Sequence, residues 1–393
     1  MLDSASPRSL TLPAASPILA MAKEAARLRS EGRDIVDLTL GEPDLPPPDH
    51  VIREAREMAG RPLGYSPANG IPQLRDAITR TALRESGIAY GDDQVAVGCG
   101  AKQIIFNTFM ASLQPGDEVI VPAPYWASYP DMVTMFGATP VIVLCGADDG
   151  FKISASALRA AITKQTRWFV LNSPSNPTGA TYSVEELQDL ASVLRDHPRI
   201  MVLSDEIYGH IHYGEGSVTS LAVAAPDLRD RILVVNGVSK AYAMTGWRVG
   251  WALGATDLIS RITTVQSQNC TQTSTLSQHA AVAALDGPQE FLAERLDIYN
   301  SRRAVALDIL NGSPHLNVRS PEGAFYLFFR LPYSLNDRMV ANALLNSGVA
   351  TVFGSAFGAP GYIRISFATD IETLREGCLR LVSGVARLVD DEL

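Results

Sequence analysis

Seven short apolar runs, each set off by helical or loop stretches, constrain this chain more than any other feature. They span residues 95–97, 118–121, 139–143, 167–171, 200–203, 232–235 and 250–253. Most are rich in Val and Ile without clean polar alternation, the pattern of strands buried on both faces. Helices between such strands imply βαβ units and a mainly parallel seven-stranded sheet. At 393 residues the chain exceeds one ordinary core, since domains centre on about 150 residues.

The ends read differently. Residues 18–29 have helical apolar spacing, residues 35–38 a short strand, and residues 41–48 a loop dense in proline. After a long helix over about 289–310, runs at 324–330, 350–353 and 362–367 read as strands and a last helix starts near Ile371. The expected division is an N-terminal segment (1–48) of a small domain, a large domain (49–288), and a C-terminal part (289–393) that completes a smaller α+β domain from both chain ends.

Composition excludes some classes. A net charge of −9 and a pI near 5.2 oppose nucleic-acid binding, which needs a basic footprint. No apolar run is long enough to span a membrane, and no signal-peptide pattern opens the chain. Cys99, Cys145, Cys270 and Cys378 show no CxxC spacing, so neither zinc nor a redox dithiol is expected, and a reducing cytoplasm fits. His210 and His212 lack ligand-spaced partners and read as structural, so no metal is expected. Arg302-Arg303 reads as a solvated helical pair.

The chemistry concentrates after the sixth run, in Val238-Ser239-Lys240-Ala241-Tyr242-Ala243-Met244-Thr245-Gly246-Trp247-Arg248-Val249-Gly250. A lysine in a loop leaving a buried strand is placed to be desolvated, which lowers the amine's pKa and makes it nucleophilic. Ser239 and Arg248 supply anion ligands beside it. Asp205 or Glu206 ends another apolar strand, and the residues alone do not choose between them. Gly98-Cys99-Gly100-Ala101-Lys102-Gln103 precedes an apolar helix beginning at Ile104, a suitable anion seat. Arg364, amid Tyr362-Ile363-Arg364-Ile365-Ser366-Phe367, is costly unless paired.

The stretch Ser239-Lys240 through Gly250 closely resembles the cofactor-lysine signature of the class I aminotransferases, proteins of pyridoxal 5'-phosphate (PLP) fold type I. The resemblance runs from Gly41-Glu42-Pro43-Asp44 to Arg364-Ile365-Ser366 and is similar to the bacterial aspartate aminotransferases of subgroup Ib. It implies that Lys240 carries PLP as a Schiff base and then moves a proton as base and acid. It implies that Asp205 pairs with the ring nitrogen, that Tyr208 and Asn176 bond the phenolic oxygen, and that Trp126 stacks on the ring. Gly100, Ala101, Lys102, Ser239 and Arg248 would surround the phosphate, and Tyr65 would reach the phosphate of a partner subunit, making a homodimer with shared sites. Gly41, Lys102, Trp126, Asn176 and Arg364 would meet an amino acid or 2-oxo acid substrate, with Arg364 on the α-carboxylate. Where subgroup Ib has a Lys-Pro-Ser-x-Thr-like segment, this chain has Ala14-Ala15-Ser16-Pro17-Ile18. That implies a less polar side pocket, with aspartate and 2-oxoglutarate expected as substrates rather than prephenate. The competing expectations are an aminotransferase for aromatic, branched or other amino acids, a lyase on the same fold, and a PLP-sensing regulator, for which some forty residues before Gly41 leave no DNA-binding domain.

Overall fold

The computed structural model describes residues 16–332 and 335–390. Its centre is a seven-stranded sheet. The strands are β2 (Val95–Gly98), β3 (Glu118–Ala123), β4 (Thr139–Leu144), β5 (Thr166–Asn172), β6 (Met201–Asp205), β7 (Ile232–Gly237) and β8 (Gly250–Leu253), each on one of the expected runs. Their order is β2-β8-β7-β6-β5-β3-β4, with β8 alone reversed against its neighbours. Alternation is missing because both faces are covered. Val119, Val121, Val170, Leu203 and Leu233 face one apolar layer, and Ile120, Phe169, Leu171, Val202 and Val234 face the other. The edge strand β4 is the exception, and its terminal Leu144 is 76% exposed.

The second unit draws on both chain ends. Before the large sheet comes β1 (Val36–Asp37); after it come β9 (Tyr326–Arg330), β10 (Val349–Ala350), β11 (Val352–Phe353) and β12 (Tyr362–Ser366). The strands β11-β12-β9 form an antiparallel sheet, and β1 pairs in parallel with β10. The run at 350–353, expected as one strand, breaks at Thr351 because its two halves serve different sheets. Helices Pro17–Ser30, Phe291–Asn311 and Ile371–Asp390 pack a common core through Met21, Ala25, Tyr299, Leu310, Leu374 and Leu381. The N-terminal segment is stitched on by backbone bonds: Val36 N–H donates to Gly348 O at 2.9 Å and Ser366 N–H to Leu38 O at 2.9 Å. We propose domain boundaries after residues 48 and 288, the first just before the helix Asp49–Ala59 and the second between the helices Thr275–Asp286 and Phe291–Asn311.

The solvated reading of Arg302 is corrected. Arg302 is only 7% exposed, and both Nη atoms donate to the Asp44 carboxylate at 2.7 Å. Arg303 donates to Pro321 O at 2.7 Å and lies over the Tyr213 ring. This face of Phe291–Asn311 packs on the loop after Gly41 instead of facing water. Asp44→Ala leaves a buried guanidinium without its counter-charge. The cost lies between an exposed pair and a buried one, about 2 kcal/mol by chemical denaturation; an unchanged denaturation midpoint would show that the pair does not hold the loop.

Candidate active site

In open α/β sheets, ligands sit beyond the carboxyl ends of the strands. Here β2, β5, β6 and β7 deliver Ala101, Asn176, Asp205 and Lys240 to one cavity of about 590 Å³. Pairing holds the carrier strands in register, Asn172 opposite Asp205 and Asp205 opposite Val235. The small unit contributes Gly41 and Arg364, and the cavity is also lined by Lys102, Trp126, Tyr208, Ser239 and Arg248.

Lys240 Nζ donates to Gly41 O at 2.6 Å and lies 5.8 Å from the Tyr208 ring centre. Burial is the main reason its amine is pushed down to about 8, and Glu42 partly offsets this. An amine so placed is nucleophilic near neutral pH. Gly41 must be glycine, because a Cβ there would stand 2.1 Å from Tyr326 Oη.

Of the two carboxylates at the end of β6, Asp205 is the one that lines the cavity. Its Oδ2 accepts from Tyr129 Oη at 2.6 Å and its Oδ1 from Ile207 N–H at 3.3 Å, inside the cavity wall. Burial raises its pKa, while the two hydrogen bonds and the Lys240 charge pull the other way. Glu206 turns from the cavity to the hydroxyls of Ser204 and Ser220, at 2.7 and 2.6 Å.

The anion seat is the start of Ala101–Ser112, which no side chain caps. The helix begins three residues before Ile104 because Ala101 and Lys102 line the cavity and Gln103 bonds Cys99 N–H, Asn269 and Cys270, so apolar spacing misses the first turn. Gly100 has φ +81°, and a Cβ on it would stand 2.5 Å from Arg248 Nη2. That guanidinium is fixed by Thr245 O at 2.8 Å and Cys99 O at 3.2 Å.

Arg364 is almost wholly buried. Nη1 donates to Asn176 Oδ1 at 3.0 Å, Nη2 to Thr39 O, and Nε has no partner. Its guanidinium stacks 4.4 Å over Tyr326, whose hydroxyl pairs with Tyr208 Oη at 2.7 Å. Lys102 Nζ sits 4.7 Å above the Trp126 ring with no carboxylate in ion-pair range among the described residues. Its pKa is lowered, first by burial and then by Arg248. Ile18 and Leu19 form an apolar rim. Ala14 lies outside the described residues, and Ser16 is not among the lining residues. Tyr65, 92% exposed, stays outside the cavity of its own chain. His210 Nε2 instead faces Glu85 at 3.4 Å.

The family model "Aminotransferase class I and II" matches residues 33–381. The chain belongs to that family. It is 44% identical over 387 residues to an aspartate/prephenate aminotransferase of Cereibacter sphaeroides, covering 95% of this chain and 96% of that one. It is 45% identical over 386 residues to an aspartate aminotransferase of Rhizobium meliloti, covering 95% and 94%. Among solved structures, the Rhizobium meliloti aspartate aminotransferase superposes with a TM-score of 0.93 at 43% identity, covering 97% of this chain and 99% of that one. The Thermus thermophilus aspartate aminotransferase with maleate gives 0.91 at 38% identity, covering 98% and 100%. The chain is thus an aminotransferase of PLP fold type I.

Sequence reasoning missed Tyr129 and Tyr326. Tyr129 stands one helical turn after Trp126, a spacing that could have flagged it. Tyr326 carries no local signal, since only the β9–β12 pairing brings it beside Arg364. Tyr129→Phe removes only the hydroxyl that steadies Asp205. A bond to a charged group is worth about 1.5–3 kcal/mol, so aminotransferase turnover should fall by roughly 10- to 100-fold with the melting temperature nearly kept. Wild-type turnover in that variant would remove the bond from the account.

Proposed function

We propose that this aminotransferase uses PLP to move the amino group between L-aspartate and 2-oxoglutarate. The observation that carries the substrate is a pair of cations on one cavity. Arg364 has a buried Nε free to join Nη in gripping a carboxylate side by side, which lysine cannot do. Lys102 offers a second positive charge without a contacting carboxylate. A dicarboxylic amino acid satisfies both.

The cofactor fits the same residues. The uncapped helix start at Gly100, Ala101 and Lys102, with Ser239 and Arg248, suits a phosphate. Asp205 suits a protonated ring nitrogen, Asn176 and Tyr208 a phenolic oxygen, Trp126 a ring face and Lys240 a covalent anchor. When bound, PLP supplies an electron sink for charge developing at the substrate's α-carbon. Asp205, whose hydrogen bonds from Tyr129 and Ile207 favour the carboxylate against the effect of burial, would hold a proton on the ring side. Lys240 Nζ, released from its anchoring role, takes the α-carbon proton and later returns it as a general acid. Arg364 orients the substrate, with Asn176 and Thr39 O locking its plane. Gly41 O and the Tyr326 ring close the pocket over the amine.

The partner and location belong to this reading. The exposed ring of Tyr65 supports a homodimer in which it reaches the neighbouring phosphate. Four free cysteines support the cytoplasm. The apolar rim of Ile18 and Leu19 favours a second reading, an aromatic or branched amino donor.

An amino-donor panel scored by cofactor absorbance separates the readings. Aspartate should convert the aldehyde spectrum to the amine form and 2-oxoglutarate should reverse it. Lys102→Ala should lower kcat/KM for aspartate about 10- to 100-fold, the worth of one charge-assisted bond, and leave phenylalanine little changed. Conversion by phenylalanine or leucine but not aspartate would overturn the substrate; pyruvate and ammonia released from cystathionine without an acceptor would mark a lyase.

A further inference from the structure

Sequence spacing pairs none of the four cysteines, but the fold brings two of them together. Cys99 Sγ and Cys270 Sγ lie 3.9 Å apart although 171 positions separate them. Both are half-buried, whereas Cys145 and Cys378 are buried elsewhere; burial first, and then the neighbouring Cys270, raises the Cys99 thiol's pKa. Cys270 follows the helix Thr256–Asn269, and Gln103 Nε2 donates to its sulfur at 3.0 Å. Cys99 immediately precedes Gly100. Its N–H donates to Gln103 Oε1 at 2.6 Å and its carbonyl accepts from Arg248 Nη2. A single amide, Gln103, therefore touches both members of the pair. A disulfide bond is about 2.0 Å long, so closure needs an approach of about 1.9 Å.

We propose that Cys99 and Cys270 are a modification site, closing reversibly to a disulfide that displaces the phosphate-seating loop and loosens the cofactor. The second half rests on the PLP reading above. The oxidant is a small soluble disulfide such as oxidised glutathione. The Cys270 thiolate attacks one of its sulfurs, the glutathione S–S bond breaks, and one glutathione leaves as a thiolate that takes up a proton. Cys99, losing its proton, then attacks the Cys270 sulfur, and the second glutathione leaves as a thiol. The protein pair loses two electrons and two protons, and two glutathione thiols gain them. Closure draws Cys99, whose carbonyl accepts from Arg248, toward Cys270. It also pulls on Gly100, whose positive φ and close fit to Arg248 leave the seat little slack.

The test starts from holoenzyme incubated with oxidised glutathione, then denatured, alkylated and mapped by peptide mass spectrometry. Free thiols should fall from four to two, with one linked peptide pair joining Cys99 to Cys270, and dithiothreitol should restore all four. Oxidised holoenzyme should release PLP severalfold faster than reduced holoenzyme. Treated Cys270→Ser holoenzyme should release it at the reduced rate. Four unchanged thiols, stable glutathione adducts on the wild-type pair, or cross-links between protomers overturn the site. Linked protein that keeps PLP as long as reduced protein overturns the coupling. Failure of the cofactor reading would appear separately, as protein that never held PLP, and the peptide map would still decide the thiol pair.

Discussion

The burial of one amine, hydrogen-bonded to a backbone carbonyl, governs the rest of this structure. Lys240 Nζ is enclosed against Gly41 O, and its pKa falls from 10.5 to about 8 chiefly through lost hydration. That corresponds to about 3 kcal/mol against the charged form. The sign of the effect on stability follows. Above about pH 10.5 neither the folded nor the unfolded chain holds this proton, and the cost is absent. It grows as pH falls toward 8, where only the unfolded chain holds the proton fully, and is constant below. The fold therefore carries a standing penalty at neutral pH in return for a usable nucleophile.

Maintaining that environment takes both units. The sheet fixes Asp205, Asn176 and the Lys240 loop at neighbouring strand ends. The small unit brings Gly41 and Arg364 over them, and backbone bonds from Val36 to Gly348 and from Ser366 to Leu38 tie the N-terminal segment to the C-terminal part. Bonds across the two units close the arrangement: Arg364 to Asn176, and Tyr326 to Tyr208. Arg302, bonded to Asp44, anchors the loop that carries Gly41. The site is thus an interface, and side chains far from the chemistry set its geometry.

Much of this was legible in the sequence because burial leaves local signatures. Strands covered on both faces read as Val/Ile runs, and Arg364 stood out as a charge among apolar neighbours. Legibility failed where a partner is distant in the chain. Tyr129 meets Asp205 across 76 positions, and Arg302 meets Asp44 across 258. No local pattern separates such an arginine from a solvated one. The helix at Ala101 began earlier than its apolar spacing because Ala101 and Lys102 line a cavity and Gln103 meets polar partners. The pairing of Cys99 with Cys270 was invisible for the same reason as Arg302.

The central claim, that burial keeps the Lys240 amine reactive near neutral pH, is tested most directly by its own titration. Competitive acetylation of protein stripped of PLP, followed across pH by peptide mass spectrometry, reads the fraction of Lys240 that is uncharged. The expected midpoint is near 8. A midpoint at 10.5, the value of an ordinary lysine, would contradict it.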